Sequence, residues 1–294
     1  MSDPHKAGYV NIIGNPNVGK STLMNKMVGE KLAIITSKAQ TTRHRILGIV
    51  NDENYQIIYS DTPGLLTPKY KLQEAMLSFA LSALDDADVL LYVTDTQENI
   101  KGNEPIFEKL KEVEVPLFLI INKIDVTFES LLEKLIDVWK ERLPKAVIFP
   151  ISAKEGFQLD VLLKSIIEKL PEAPPYFPKD ELTDKSMRFF AAETVREKIL
   201  LNYTEEIPYC VEVGVNEFKD KPEIIHISCT IFVMRESQKG IVIGKGGSAL
   251  KKVGTEARKD LEEFLGKKVF LELFVKVDPD WRNNATQLRR YGYK

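Results

Sequence analysis

The sequence has only two cysteines and no long apolar run. Cys210 and Cys229 form no close-spaced metal or redox pair, and each lies in an apolar, strand-like segment. We therefore expect buried thiols in a protein of the reducing cytoplasm. No stretch is long and apolar enough to span a bilayer, and Met1–Lys6 lacks the apolar core of a signal peptide. These absences disfavour a secreted disulfide protein and an integral membrane protein.

The charge is unevenly distributed along the chain of 294 residues. The net charge is −2, but residues 1–184 carry 21 basic and 27 acidic side chains, a net charge of −6. Residues 185–294 carry 20 and 16, a net charge of +4. The length predicts two domains. The basic excess in the second part favours contact with a polyanion.

The most specific pattern is a phosphate-binding loop. The run 14–21 fits G-x-x-x-x-G-K-[ST] at every fixed position, after a strand-like run and before a helix-like one. In that setting backbone N–H groups and the helix N-terminus bind phosphates, Lys20 reaches the β- and γ-phosphates, and Ser21 binds Mg²⁺. The predicted nucleotide-binding residues here are Gly14, Asn15, Pro16, Asn17, Val18, Gly19, Lys20, Ser21 and Thr22.

Residues 1–170 alternate apolar runs with helical patterns, which predicts an α/β domain with a mostly parallel sheet. The strand candidates are 9–14, 45–50, 55–61, 89–95, 117–122 and 147–151. The segment 171–184 opens with four prolines in its first eight residues, so we expect a stiff, extended linker there. Residues 185–294 form a second, smaller α+β domain with the predicted element order αββααβ.

Three further motifs indicate that the nucleotide is guanine. Asp61-Thr62-Pro63-Gly64 ends one strand, where Asp61 holds the metal through water and the Gly64 N–H meets the γ-phosphate. Asn122-Lys123-Ile124-Asp125 ends another strand, and a carboxylate there accepts the N1 and N2 protons of guanine, a donor pair that adenine lacks. Ser152 and Ala153 follow the last strand, where a backbone N–H can donate to guanine O6. All three motifs lie at the C-terminal ends of strands.

The second domain carries a Gly-rich loop between two helices. Gly244-Lys245-Gly246-Gly247 fits the G-x-x-G loop that approaches a nucleic-acid backbone. The predicted RNA-binding residues are Ile243, Gly244, Lys245, Gly246, Gly247 and Lys251.

Several residues near this loop leave two interpretations open. Ile241 and Ile243 line a groove or belong to the core, while Arg258 and Lys259 favour a solvated helix face. The basic, aromatic tail 281–294 either extends the RNA surface or docks on the domain.

The chain resembles the translation-factor-related class of GTPases, whose switch I motif fits 40–44. With the second domain, the resemblance narrows to the Era family of bacterial ribosome-assembly GTPases. It implies a type II KH domain, GTP and GDP as ligands, and the 3′ end of 16S rRNA and the 30S subunit as partners. We also expect a cytoplasmic monomer, with a peripheral contact at the inner face of the membrane left open. The alternative is a signalling switch whose second domain docks a protein or a membrane.

The catalytic residues expected from these motifs are Lys20, Thr42, Asp61, Gly64 and Asn17. Leu65 occupies the place of the water-positioning glutamine in Ras-like enzymes, so we expect slow intrinsic turnover. The resemblance offers Asn17 as a ligand for K⁺ near the phosphates, and the alternative is that Asn17 only shapes the loop. Mg²⁺ is expected on Ser21, Thr42 and, through water, Asp61, with Thr41 competing for the role of Thr42.

Overall fold

The computed structural model describes residues 4–97 and 104–293. The chain divides into two compact units. The first comprises Met1–Ala33, Thr42–Thr67 and Met76–Asp184, and the second comprises Ile34–Thr41, Pro68–Ala75 and Lys185–Lys294. The short segments 34–41 and 68–75 therefore group with the C-terminal part of the chain, which the sequence does not suggest. The predicted domain boundaries themselves stay predictions.

A six-stranded sheet forms the centre of the first unit, in the order β2-β3-β1-β4-β5-β6. All neighbours are parallel except β2 and β3. The strands are β1 (Lys6–Gly14), β2 (Ile46–Asn51), β3 (Tyr55–Asp61), β4 (Val89–Asp95), β5 (Leu117–Asn122) and β6 (Val147–Pro150). The helices in this part of the chain are α1 (Lys20–Val28), α2 (Lys71–Asp85), α3 (Glu104–Glu112), α4 (Glu129–Arg142) and α5 (Leu159–Lys169).

The central strands are apolar because helices cover both faces of such a sheet. Every residue of β4 and β5 is buried. On one side the core is aromatic, with the rings of Tyr92, Phe107 and Trp139 packed at centroid distances of 5.5 to 5.9 Å. Because β1, β3, β4 and β5 run parallel, their C-terminal ends meet at one edge, and that edge carries the motif residues.

The proline-rich segment 171–184 packs within the first unit. The side chain of Gln56 accepts from Tyr176 N at 2.7 Å and donates to Phe177 O at 2.8 Å. Farther along, Ile49 N donates to Leu182 O at 2.8 Å. The segment contains a turn, in which Glu181 N donates to Pro178 O at 3.0 Å, and the side chain of a buried glutamine on β3 and the backbone of β2 hold it in place. Sequence alone did not indicate these contacts.

The second unit contains a three-stranded sheet in the order β7-β8-β9, with β7 antiparallel and β9 parallel to β8. Its elements are α6 (Met187–Asn202), α7 (Ile207–Cys210), β7 (Glu212–Asp220), β8 (Ile225–Val233), α8 (Glu236–Ile243), α9 (Ser248–Leu265), β9 (Val269–Val277) and α10 (Ala285–Arg290). The predicted order αββααβ is present, with the short helices α7 and α10 added. A 3-10 turn, Lys245–Gly247, separates α8 from α9.

Both cysteines are free and buried in the second unit. Burial raises the pKa of the Cys229 thiol to about 12, so it stays protonated at neutral pH. Trp281 and Tyr293 of the tail are also buried, and Trp281 Nε1 donates to Cys210 O at 3.1 Å. The aromatic part of the tail therefore docks on the unit, while Arg289 and Arg290 remain exposed. In the described ranges, no helix has the length and apolar character needed to cross a membrane.

Candidate active site and nucleic-acid interface

The loop between β1 and α1 is shaped by close backbone packing. Gly14 has a φ of +149°, and a Cβ added there would lie 2.1 Å from the Val93 carbonyl oxygen. Lys20 is buried, and its ammonium donates to the carbonyls of Gly14 at 3.0 Å and Asn15 at 2.9 Å. The charge is thus held at the loop, where a nucleotide phosphate is expected to lie.

Three oxygen-bearing side chains converge beside this loop. Ser21 Oγ donates to Asp61 Oδ2 at 2.6 Å and lies 2.8 Å from Thr42 Oγ1, which donates to Asp61 Oδ2 at 3.3 Å. Asp61 is fully buried, and within the described residues its Oδ1 has no hydrogen-bond partner. Burial raises the pKa of Asp61, although the charge of Lys20 and the bonds from Ser21 and Thr42 act to lower it. A desolvated carboxylate flanked by two hydroxyls fits a hard divalent cation.

Thr41 lies in a different environment from Thr42. Its hydroxyl is 2.6 Å from Thr36 Oγ1 and donates to the Lys38 carbonyl at 2.6 Å. These bonds close a turn within residues 34–41. Of the two adjacent threonines, Thr42 is the one whose hydroxyl meets Ser21 and Asp61.

Asn122 ties three loops together at the edge of the sheet. Its amide donates to Val18 O at 2.8 Å, and its side-chain oxygen accepts from Ala153 N at 2.9 Å. The predicted N–H donor of Ala153 thus bonds to Asn122. Asp125 is exposed and accepts from Ser152 Oγ at 2.6 Å through one oxygen. Its second oxygen has no hydrogen bond to the rest of the described chain, and it remains accessible to a base.

The contacts of Lys123 identify Asp95 as a further residue of the site, which the sequence does not predict. The Lys123 ammonium donates to Asn17 O at 2.6 Å and pairs with Asp95 Oδ2 at 2.7 Å. Asp95 is the last residue of β4, at the same edge of the sheet as Asp61 and Asn122. An acidic residue ending a buried apolar strand is the signal that could have identified it.

The remaining predicted residues shape this site through the backbone. Thr62 Oγ1 donates to Ile12 O at 2.8 Å, and Gly64 packs against Pro16 so closely that a Cβ there would lie 2.7 Å from its nitrogen. Leu65 N donates to Gly14 O at 3.1 Å. Asn17 adopts a left-handed conformation with a φ of 65°.

A groove of about 380 Å³ lies beside the G-x-x-G loop in the second unit. Gly247 has a φ of +78°, and a Cβ added there would meet nothing within 4 Å. Lys245 and Lys251 are exposed. The groove is lined by Gly247, Leu250, Lys251, Gly254, Thr255, Arg258, Leu271 and Leu273. An apolar floor between basic side chains suits an unpaired base and its phosphate.

The groove adds residues that the sequence analysis did not select. Leu271 and Leu273 come from β9, which only folding brings next to α9. The sequence favours a solvated helix face for Arg258, yet this residue lines the groove and pairs with Glu262 at 3.3 Å. Neither Ile241 nor Ile243 is buried, since Ile241 is 49% exposed and Ile243 is half-buried.

Two family models match the two parts of the chain. Residues 9–123 match the model "50S ribosome-binding GTPase", and residues 206–282 match "KH domain". The chain is 47% identical to "GTPase Era" of Alkaliphilus metalliredigens over 293 residues, which is 99% of each chain. The chain belongs to the Era family.

Solved Era structures resemble the whole chain. One is the crystal structure of Era in complex with MgGDPNP and nucleotides 1506–1542 of 16S ribosomal RNA. Another is a single-residue variant of Aquifex aeolicus Era bound to GDP·AlF4⁻. Each has a TM-score of 0.94 and 44% identity, covering 98% of this chain and 99% of the other. As a member of the Era family, the protein is a GTPase with a P-loop domain followed by a C-terminal KH domain, as the sequence predicts.

Proposed function

We propose that this GTPase is a switch that binds the 3′ end of 16S rRNA through its KH domain and assists assembly of the 30S subunit. The observation that carries the proposal is the groove beside Gly247, where an apolar floor meets Lys251 and Arg258. Support comes from the likeness over 98% of the chain to an Era that holds MgGDPNP and 16S rRNA nucleotides. The signalling alternative is not favoured, because residues 206–282 match a KH domain and retain the G-x-x-G loop.

The nucleotide site assigns a role to each convergent side chain. Lys20 neutralises charge on the β- and γ-phosphates, and the N–H groups of the loop and of Gly64 donate to phosphate oxygens. Ser21, Thr42 and, through water, Asp61 would hold Mg²⁺, which when bound neutralises phosphate charge. The proximity of the Ser21, Thr42 and Asp61 oxygens supports this set.

Guanine specificity rests on Asp125. Its accessible carboxylate accepts the N1 and N2 protons of the base, and Ser152 orients it with a 2.6 Å hydrogen bond. Asn122 joins the loop at Val18 to Ala153, so its main contribution is to hold the base site in place. The Lys123 ammonium bonds to Asn17 O and Asp95 Oδ2, and we expect the stem of this side chain to pack along the base.

Hydrolysis is slow without help, because Leu65 cannot orient a water molecule. Asn17 contributes by binding K⁺ near the phosphates. The left-handed backbone of Asn17, with a φ of 65°, is compatible with that role. Comparing GTPase rates in potassium and sodium salts tests it. We expect stimulation by K⁺ that Asn17→Ala abolishes. Equal rates in the two salts, or stimulation that survives in the variant, would disprove the K⁺ role.

The RNA site combines close backbone approach with charge. Gly246 and Gly247 face open space and let the sugar-phosphate backbone approach the loop, and Lys245 and Lys251 neutralise phosphates. Gly244 shapes the loop, because a Cβ added there would lie 2.6 Å from the Ala249 Cβ. Ile243 contributes apolar surface next to the loop. Arg258 joins this set because it lines the groove.

The deciding experiment measures binding of an RNA oligonucleotide with the 3′-end sequence of 16S rRNA, with GDPNP and with GDP. We expect tighter binding with GDPNP, and loss of binding in Gly247→Asp. Gly266→Asp is the matched control, because Gly266 also has a positive φ, of +62°, and open space around it, at the other end of α9. Equal RNA binding by the wild type and Gly247→Asp would overturn the proposed role of the G-x-x-G loop in RNA binding. It would not bear on the assignment of the protein as a GTPase.

The remaining assignments follow the same proposal. We take residues 1–170 as the GTPase domain, 171–184 as the connecting segment and 185–294 as the KH domain. The protein works in the cytoplasm as a monomer, with a peripheral contact at the inner membrane face as an additional site of action. Co-sedimentation with 30S subunits and with lipid vesicles distinguishes these partners.

A further inference from the structure

Residues 34–41, which immediately precede Thr42, are bonded to helix α6 of the same compact unit and to the residue that follows it. Ile35 N donates to Glu197 Oε1 at 3.2 Å, and Lys38 Nζ donates to Tyr203 O at 2.7 Å. Together with the Thr41 turn described above, these bonds hold the segment along its length. The backbone that leads into the metal site is therefore anchored by a helix distant from it in sequence.

The strongest anchor is Arg196, which is 1% exposed. Its Nε and Nη2 donate to Glu193 at 2.7 and 2.5 Å, and Nη2 also donates to the Thr41 carbonyl. Burial alone would lower the pKa of Arg196, but the charge and hydrogen bonds of Glu193 raise it, so the guanidinium stays charged. A buried guanidinium with a paired carboxylate is a fixed donor of charge-assisted hydrogen bonds.

The atom that Arg196 binds belongs to the peptide group joining Thr41 to Thr42. Because a peptide group is planar, holding the Thr41 carbonyl oxygen restricts where the Thr42 nitrogen can lie. Thr42 Oγ1 then lies 2.8 Å from Ser21 Oγ and 3.3 Å from Asp61 Oδ2. A carbonyl held on one side thus limits the positions open to the next hydroxyl.

We propose that Arg196, held by Glu193, is a positioning residue for GTP hydrolysis that keeps the Thr42 hydroxyl in the metal site through the Thr41–Thr42 peptide. The inference rests on the proposed role of Thr42 as a metal ligand. Lysine is not equivalent to arginine here, because the planar guanidinium donates from one rigid fork to both oxygens of Glu193 and to the Thr41 carbonyl, and an ammonium lacks that fork.

The first test is Arg196→Lys in the full-length protein, which keeps a charge beside Glu193. We expect kcat to fall roughly tenfold, the value of about one charge-assisted hydrogen bond. The Mg²⁺ concentration for half-maximal hydrolysis should rise, while affinities for GDP and for the 16S 3′-end RNA stay unchanged. A purely structural role would shift the thermal midpoint and RNA affinity and leave kcat and the Mg²⁺ dependence alone.

A double-mutant cycle with Thr42→Ala identifies the route of the effect. If Arg196 acts through Thr42, Arg196→Lys should not lower kcat further when Thr42 is alanine. Additive losses would overturn the inference. If Thr42→Ala alone leaves kcat and the Mg²⁺ dependence unchanged, the proposed metal role of Thr42 fails. If Thr42→Ala lowers kcat but Arg196→Lys does not, the metal role of Thr42 stands and only the role of Arg196 fails.

Arg188→Lys is the matched control. Arg188 lies on the same helix and also donates to backbone carbonyls, those of Val215 at 2.5 Å and Asn216 at 3.3 Å on β7. It should hydrolyse GTP at the wild-type rate. Glu193→Gln provides a second variant, expected to reproduce a weaker form of the Arg196→Lys defect. Wild-type kcat in both Arg196→Lys and Glu193→Gln would refute the proposal.

Discussion

The chain has two glycine-rich loops, and Gly14 of the first loop and Gly247 of the second have different surroundings. At Gly14 in the nucleotide loop, an added Cβ would lie 2.1 Å from the Val93 carbonyl, inside the protein's own packing. At Gly247 in the KH loop, an added Cβ would meet nothing within 4 Å. The first glycine is required by the packing of its own loop, whereas the second faces open space. Glycines at motif positions in the two loops are therefore subject to two different physical constraints.

Gly14→Ala should have the largest effect in this comparison. The added methyl collides with a backbone carbonyl that cannot rotate away, and the backbone conformation at Gly14 suits only glycine. We expect the first unit to lose several kcal/mol, about 3 or more, and to lose GDP binding. Chemical denaturation and nucleotide titration measure both. Gly29→Ala is the control, because Gly29 also has a positive φ but open space around its Cα.

Asp125→Asn should have the next largest effect, and the effect should be limited to binding of the guanine base. The variant keeps the shape of the side chain but no longer accepts two protons with a charged group. We expect GTP affinity to fall at least about a hundredfold without loss of stability. Fluorescent-nucleotide binding measures the affinity, and unchanged RNA binding would show that the KH groove is separate. Wild-type GTP affinity would remove Asp125 from the base site.

Lys251→Ala tests the charge beside the KH loop. Loss of one phosphate contact should weaken RNA binding about tenfold and reduce the slope of log affinity against log salt by about one. Lys259→Ala is the control, because Lys259 is exposed on the same helix but does not line the groove. Equal effects of the two substitutions would mean that net charge, and no particular contact, drives binding.

Gly247→Ala should have the smallest effect on stability. The methyl has room, so the cost is the left-handed backbone alone, about 1 kcal/mol. GTP hydrolysis should be unchanged, and RNA affinity should fall because the backbone approach is partly blocked. Gly266→Ala matches the strain away from the groove. A destabilisation as large as that of Gly14→Ala would erase the distinction between the two loops.

Much of the nucleotide site could be predicted because its residues lie in short contiguous motifs. Lys20, Asp61 and Asn122 each end or follow a strand, and parallel strands bring such ends together by topology. Asp95 could not be predicted from the sequence, because a single acidic residue at the end of a strand is not a motif. Leu271 and Leu273 could not be predicted either, because β9 reaches the groove only through its parallel pairing with β8 and its packing against α9.

The sequence by itself determined the two-part α/β and α+β composition, the guanine motifs and the G-x-x-G loop. These depend on local periodicity and on fixed spacing, which do not require distant contacts. The tertiary structure decided which threonine meets Ser21 and Asp61, since two adjacent residues of one type differ only in where their side chains point. It also decided that Arg196 meets the Thr41 carbonyl, 155 positions away in the chain. The pair Glu193–Arg196 has the i,i+3 spacing of a helix, but no spacing in the sequence indicates the contact of Arg196 with Thr41, which only folding produces.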